Sequence, residues 1–237
     1  MRSFAVAFAL GLVFLVAGLA APQDADKRTA AQILDAMLQT YQNCKTYSDT
    51  GIVKTTFIET SRTRSTEKPF KTAFVRPGRF RFEFTEDMHG SSIRYIVWRN
   101  GEKVKTWWDI GSRLEDKPSL DLALAGATGV SSGSAHTIPA LLMPSEVSGF
   151  TLKDLHGITR LKDSTCGDSK CFLIRGKDSQ GDILTLWIDE GSLLLRQIHS
   201  GHDFAGFQTE EITTYTPIVN DRIPEEVMAF SAPGQSK

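Results

Sequence analysis

Residues 70–84 read "FKTAFVRPGRFRFEF". Every phenylalanine lies at an even position: Phe70, Phe74, Phe80, Phe82 and Phe84. The odd positions carry Lys71, Arg79, Arg81 and Glu83. Alternation of this kind is the pattern of a β-strand with one apolar and one polar face, because successive side chains point to opposite sides. Arg76-Pro77-Gly78 interrupts the run and reads as a turn. A one-residue change in loop length would flip one strand's side chains to the other face. Only an odd loop keeps all five rings together, and Pro77, Gly78 and Arg79 as the loop would pair Arg76 with Phe80. Arg76 then stands on the aromatic side, at its edge. Such a face is either ordinary core or the wall of a cavity for an apolar ligand.

Working outward, the same style continues on both sides. Residues 50–59 ("TGIVKTTFIE") are β-branched and alternating, as are 62–75 and 79–86. "SIRYIVWR" and "EKVKTWWDI" flank Asn100-Gly101, a strong hairpin signal because both residues tolerate positive φ. Residues 48–115 therefore read as a meander of about six antiparallel strands. Strand character resumes at 150–164, 170–178, 182–189, 193–200 and 206–216. Between the two blocks, 117–148 is rich in Ala, Leu, Gly and Ser. It reads as an insert with a helix near 119–128 and a helical turn at 137–143, and it suits a movable lid. Residues 27–43 carry Ile33, Met37 and Tyr41, with Ala30, Leu34 and Leu38, at helical spacing, and Asp26 or Thr29 can cap the start. The expected fold class is α+β: a single antiparallel sheet with helices on one face.

The N-terminus has the order of a secretory signal peptide: Arg2, an apolar run from Ala5 to Ala20, then a small-residue cleavage site after Ala20. Residues 1–20 are thus expected to be removed and 21–237 to form a single folded domain with a helical insert near 117–148, in an oxidising, periplasmic compartment. The formal net charge of −1 gives nothing that attracts nucleic acid. Of the three cysteines, Cys166 and Cys171 read as strand ends across a polar turn and are expected to form a disulfide. Cys44 is left as an unpaired, half-buried thiol.

Other chemistry is weaker. Gly129-Val130-Ser131-Ser132-Gly133 matches a nucleophile elbow, with His136, His199 and Asp203 downstream. That motif needs a strand before it and a helix after it, and an Ala/Leu helical stretch precedes it here. Ser131 therefore supports a serine hydrolase only as a remote alternative, and no enzyme is expected. His199, His202 and Asp203 offer ligands, but the plainer reading is a strand end and a turn, so no metal is expected. His89, Glu86 and Asp87 read as a solvated turn. No glycine-rich phosphate loop follows a strand, so no cofactor is expected.

The order of these features resembles the LolA-like outer-membrane lipoprotein-sorting proteins, and more closely their periplasmic relatives. The likeness runs from "LQTYQNCKTYSDTG" through "FVRPGRFRF" and "VWRNGEKV" to "IVNDRIPEEVMAFSAP", and is strongest over 74–108. It implies an α+β fold with one unclosed antiparallel half-barrel of about eleven strands, helices covering its concave face, and a monomeric carrier of lipid or of a lipoprotein's acyl chains; the aromatic face of the sequence reading, Phe74, Phe80, Phe82 and Phe84 with Trp98, is then expected to line the cavity. It also implies that Arg76, the arginine before the proline, acts in opening and closing it. The alternative function that the resemblance allows is an envelope-stress sensor module with a membrane-protein partner.

Overall fold

The computed structural model describes residues 26–88, 90–129, 131–204, 207–230 and 232. The signal-peptide reading of 1–20 and the reading of His89 lie outside them.

The first helix, α1 (Ala30–Asn43), starts at Thr29, whose hydroxyl accepts from Gln32 N while the Gln32 side chain accepts from Thr29 N. This reciprocal cap satisfies two of the donors that a helix start leaves open. Its apolar stripe buries Ile33, Leu34, Met37 and Tyr41. Six strands follow as a meander: β1 (Thr46–Glu59), β2 (Thr63–Val75), β3 (Arg79–Met88), β4 (Ser91–Asn100), β5 (Lys103–Trp108) and β6 (Arg113–Lys117). Then come helices α2 (Leu120–Thr128) and α3 (Ser134–Leu142), within the expected insert. The second block is β7 (His156–Arg160), β8 (Ser164–Cys166), β9 (Ser169–Lys177), β10 (Ile183–Asp189), β11 (Leu195–Phe204), β12 (Phe207–Tyr215) and β13 (Ile218–Val219), closed by the short α4 (Glu225–Met228).

All pairings are antiparallel, and the main order is β6-β5-β4-β3-β2-β1-β12-β11-β10-β9-β7. The two blocks thus meet where β1 pairs with β12, Val53 opposite Thr213. The sheet remains open, with β6 and β7 at its ends. The edge strand β6 reads Arg-Leu-Glu-Asp-Lys, and charges there discourage pairing with another chain.

Three helices fill the concave side. α1 lies over β7 and β9, α2 over β4, β5 and β6, and α3 bridges the two helices. One apolar cluster joins the three helices to the inner face of the sheet. Gly51 is required where the face is tightest. A Cβ there would come 2.2 Å from the Phe70 ring and 2.4 Å from the Thr214 carbonyl, so only glycine lets that ring lie across β1.

The turn after the first aromatic pair has an odd length, as parity demands, but Arg76-Pro77-Gly78 forms it. Val75 pairs with Arg79 and Phe74 with Phe80, so the register differs by two residues from the sequence reading. Both registers keep the rings on one side.

Candidate functional site

The inner face of the hairpin β2–β3 forms an aromatic wall. Phe70 faces Phe84, Thr72 faces Phe82, and Phe74 faces Phe80. Ring contacts extend it sideways: Tyr215 to Phe70 at 5.7 Å, Phe70 to Phe82 at 6.1 Å, Phe84 to Tyr95 at 5.9 Å and Tyr95 to Trp108 at 5.8 Å. The belt therefore crosses β12, β2, β3, β4 and β5. Of the two sequence readings of this face, the rings take the first, as packed core, and among the described residues no open cavity is found along them. Phe74, Phe80 and Phe82 are wholly buried, and Phe70 and Phe84 are 2% exposed. They share one apolar cluster with α2 and α3, which contribute Ala123, Ala127, Ala135 and Ala140 beside Leu124, Ile138 and Leu141.

Arg76 stands at the rim where two helices end. Its Nε donates to the Cys44 carbonyl at 3.0 Å, and its Nη2 to the carbonyls of Leu142 at 3.1 Å and Tyr41 at 3.4 Å. The guanidinium also lies 5.0 Å from the Phe74 ring centre. One cation thus serves the unsatisfied carbonyl ends of α1 and α3 together, where helix dipoles favour positive charge. Arg99, opposite Phe80 across the β3–β4 pairing, holds the segment after α3 through Glu146 at 2.5 Å.

A polar inclusion interrupts the wall. Asp49 lies on the inner face of β1, 6% exposed, opposite Thr72. Its carboxylate accepts from Tyr47 Oη at 2.8 Å and from Thr72 N at 3.0 Å. Desolvation outweighs those bonds and pushes its pKa up to about 6. Tyr47 rests on Tyr41 of α1, with ring centres 5.5 Å apart, and Tyr41 Oη accepts from Leu195 N. The sequence reading missed Asp49, although "TYSDTGIV" put it in phase with Tyr47, Gly51 and Val53.

Trp98 is a correction. It pairs with Arg81, so it points to the convex side of the sheet. There its Nε1 donates to the Met228 carbonyl at 2.6 Å and its ring meets Phe230. In β4 the inner positions are Tyr95, Val97 and Arg99, and strand alternation excludes Trp98 from them. The expected disulfide is corrected as well: Cys166 and Cys171 are free thiols. The hairpin turn is only Gly167-Asp168, so Cys166 faces Ser169 while Cys171 faces Ser164. The two cysteines are diagonal rather than opposed. Cys44 is buried more deeply than expected, 2% exposed, and burial raises its pKa.

Ser131 is fully buried after a helix, and its Oγ accepts from Ala135 N at the start of α3. His136 is engaged by the Ser148 carbonyl at 2.7 Å. His199 and His202 alternate to opposite faces of β11, and His202 pairs with Asp182 at 2.9 Å. Among the described residues no group of three or more His, Cys, Asp or Glu is placed to hold a metal.

No protein-family model matches the chain, and no curated protein matches it. Solved structures do. A LolA superfamily protein from Nitrosomonas europaea is 10% identical, over 86% of this chain and 98% of that one, with a TM-score of 0.35. LprF from Mycobacterium bovis is 11% identical, over 82% and 94%, with a TM-score of 0.44. The MucA/MucB complex of Pseudomonas aeruginosa gives 11% identity, over 86% of this chain and 61% of that one, with a TM-score of 0.45. The likeness is one of overall fold and assigns no ligand or partner.

Proposed function

We propose that this chain binds and carries hydrophobic acyl chains, of a lipid or an acylated lipoprotein, in the periplasm, and that it acts as a binding protein rather than an enzyme. The closed arrangement described above is then its unloaded form. The observation that carries this reading is Arg76. A single rim cation holds the ends of both α1 and α3 over an aromatic wall, and α3 itself leans on helices more than on strands. Releasing α3 would uncover apolar surface at about 25 cal/mol per Å². An acyl chain covering the same apolar surface restores that term, so the exchange of helix for ligand is nearly balanced. Arg76 then sets the threshold.

The test is uptake of a pyrene-labelled acyl ester with an uncharged head by the wild type and by Arg76→Ala. The variant is expected to fold and to take up the probe faster. A probe that neither protein binds would sink the carrier reading. Lipids extracted from the native protein and identified by mass spectrometry would name the cargo.

The sensor reading has one feature in its favour. The convex side carries a cleft of about 430 Å³ whose lining includes Lys71, Ala73, Ile218 and Val227. Ile218 and Val227 are exposed, at 51% and 40%. A protein partner recovered from envelope extract, and lost on Ile218→Asp, would favour it over lipid carriage.

A further inference from the structure

The concave trough does not end where the helices do. Beside α2 and α3, whose Thr128, His136 and Thr137 form one wall, the inner faces of β10, β11 and β12 line a second cleft of about 380 Å³. Its apolar part is Phe150, Leu152, Leu184 and Ile198. Its polar centre is Glu211, which strand pairing sets between Thr55 of β1 and Ser200 of β11. Thr55 Oγ1 donates to Glu211 Oε2 at 3.3 Å. Thr213, two residues on, adds a hydroxyl on the same side.

The charge of this lining is one-sided. The ionisable residues that line it are Glu211, Asp178, His136 and His202, and Lys68 of β2 acts on Glu211 from beside the cleft. Asp178 is spent on its own turn, accepting from Gln180 N and Asp182 N. His136 and His202 are engaged by Ser148 and Asp182. Burial holds the Glu211 carboxyl above its usual range despite the Thr55 bond and the attraction of His202 and Lys68. Burial outweighs those partners, so a ligand cation seated on the apolar side of the cleft would add to the attraction they supply.

We infer that this cleft is a binding site for a cationic amphiphile, with a protonated amine against Glu211 and its apolar body on Leu184, Ile198 and Phe150. The inference deepens the carrier reading, on which it rests for the shared trough, by giving the ligand a head of defined charge. A cleft of a few hundred Å³ with an apolar lining and few polar groups is the usual form of a small-molecule site.

The experiment is calorimetric titration of the full chain at neutral pH with octylammonium, octanoate and 1-octanol. Octylammonium is expected to bind about tenfold tighter than octanoate, the scale of one additional charge pairing in a partly buried site. Glu211→Gln, whose amide oxygen can still accept from Thr55, is expected to remove most of that preference. Equal or tighter binding of octanoate overturns the inference, as does unchanged octylammonium affinity in the variant, or no binding at all. The wild-type preference is a test that needs no variant to fold. The acyl-ester probe separates the two readings. Probe uptake without an ammonium preference ends this inference alone, and an ammonium preference without probe uptake ends the carrier reading alone.

Discussion

The two faces of the hairpin β2–β3 are made by alternate residues of one stretch, yet they are held by different physics. On the inner face, Phe80, Phe82 and Phe84 lie under helices in a dry, non-directional contact. On the outer face, Arg79 makes a bidentate pair with Glu225, and Arg81 donates to the Ala229 carbonyl. The C-terminal segment 225–230 crosses that face on directional bonds and a few apolar contacts. Stability therefore resides inside, whereas the outer cover is local. The difference can be broken from either side.

The largest effect is expected at the centre of the wall. Phe82→Ala leaves a void among rings that already touch, and a loss of about 3–5 kcal/mol is expected for a fully buried phenylalanine. Urea unfolding followed by far-UV circular dichroism measures it. A loss below about 1 kcal/mol would mean that the helices collapse onto the gap, and so move easily.

Asp49 sharpens the contrast because it is polar on the apolar side. Its folded pKa is near 6, against 3.8 for the free carboxyl. Between those values the folded chain keeps a proton that the unfolded chain has lost, so rising pH favours unfolding across that window. Above pH 6 the penalty is complete, about 3 kcal/mol for a shift of roughly two units. Asp49→Asn removes the titration. The wild type is expected to lose stability relative to the variant from pH 4 to pH 6, with a constant difference above. A difference independent of pH would show that Asp49 does not titrate there.

At the rim, Arg76→Ala removes bonds to three carbonyls and a cation beside Phe74. Partial exposure moderates the loss to about 2 kcal/mol. Hydrogen exchange is expected to rise first in α3, whose C-terminus loses its tie. Exchange rising uniformly across the sheet would contradict a localised latch.

Much of this was legible in the residues. The 2-residue period of 70–84, the helical stripe of 30–41 and the Ala/Leu insert gave the open sheet and its cover. The rest depended on what one chain segment does to another. Trp98 looked like a sixth aromatic for the wall, and the pairing register with Arg81 turned it outward. The Cys166–Cys171 turn proved to be two residues long, which slid the thiols past each other. Glu211 and Asp49 were readable by phase, each two residues from an inward neighbour (Thr213 and Tyr47), but charged residues in alternating strands are assigned outward by habit. Whether the trough was full depended on how closely α3 sits, which no periodicity encodes.

The smallest effect is expected on the outer face, and it tests whether the C-terminal cover is a separate unit. Trp98→Phe keeps a ring against Phe230 but removes the donor to the Met228 carbonyl. One such bond is worth about 1 kcal/mol. If segment 225–230 opens locally, that loss falls on the opening step and leaves global unfolding almost unchanged. Exchange of the amides around Val227 and Ala229, which bond to Pro224 and Glu225, is then expected to quicken severalfold while α1 and β2 keep their protection. A matching drop in global stability would tie the cover to the core, and the two faces of the hairpin would then have to be counted as one cooperative structure.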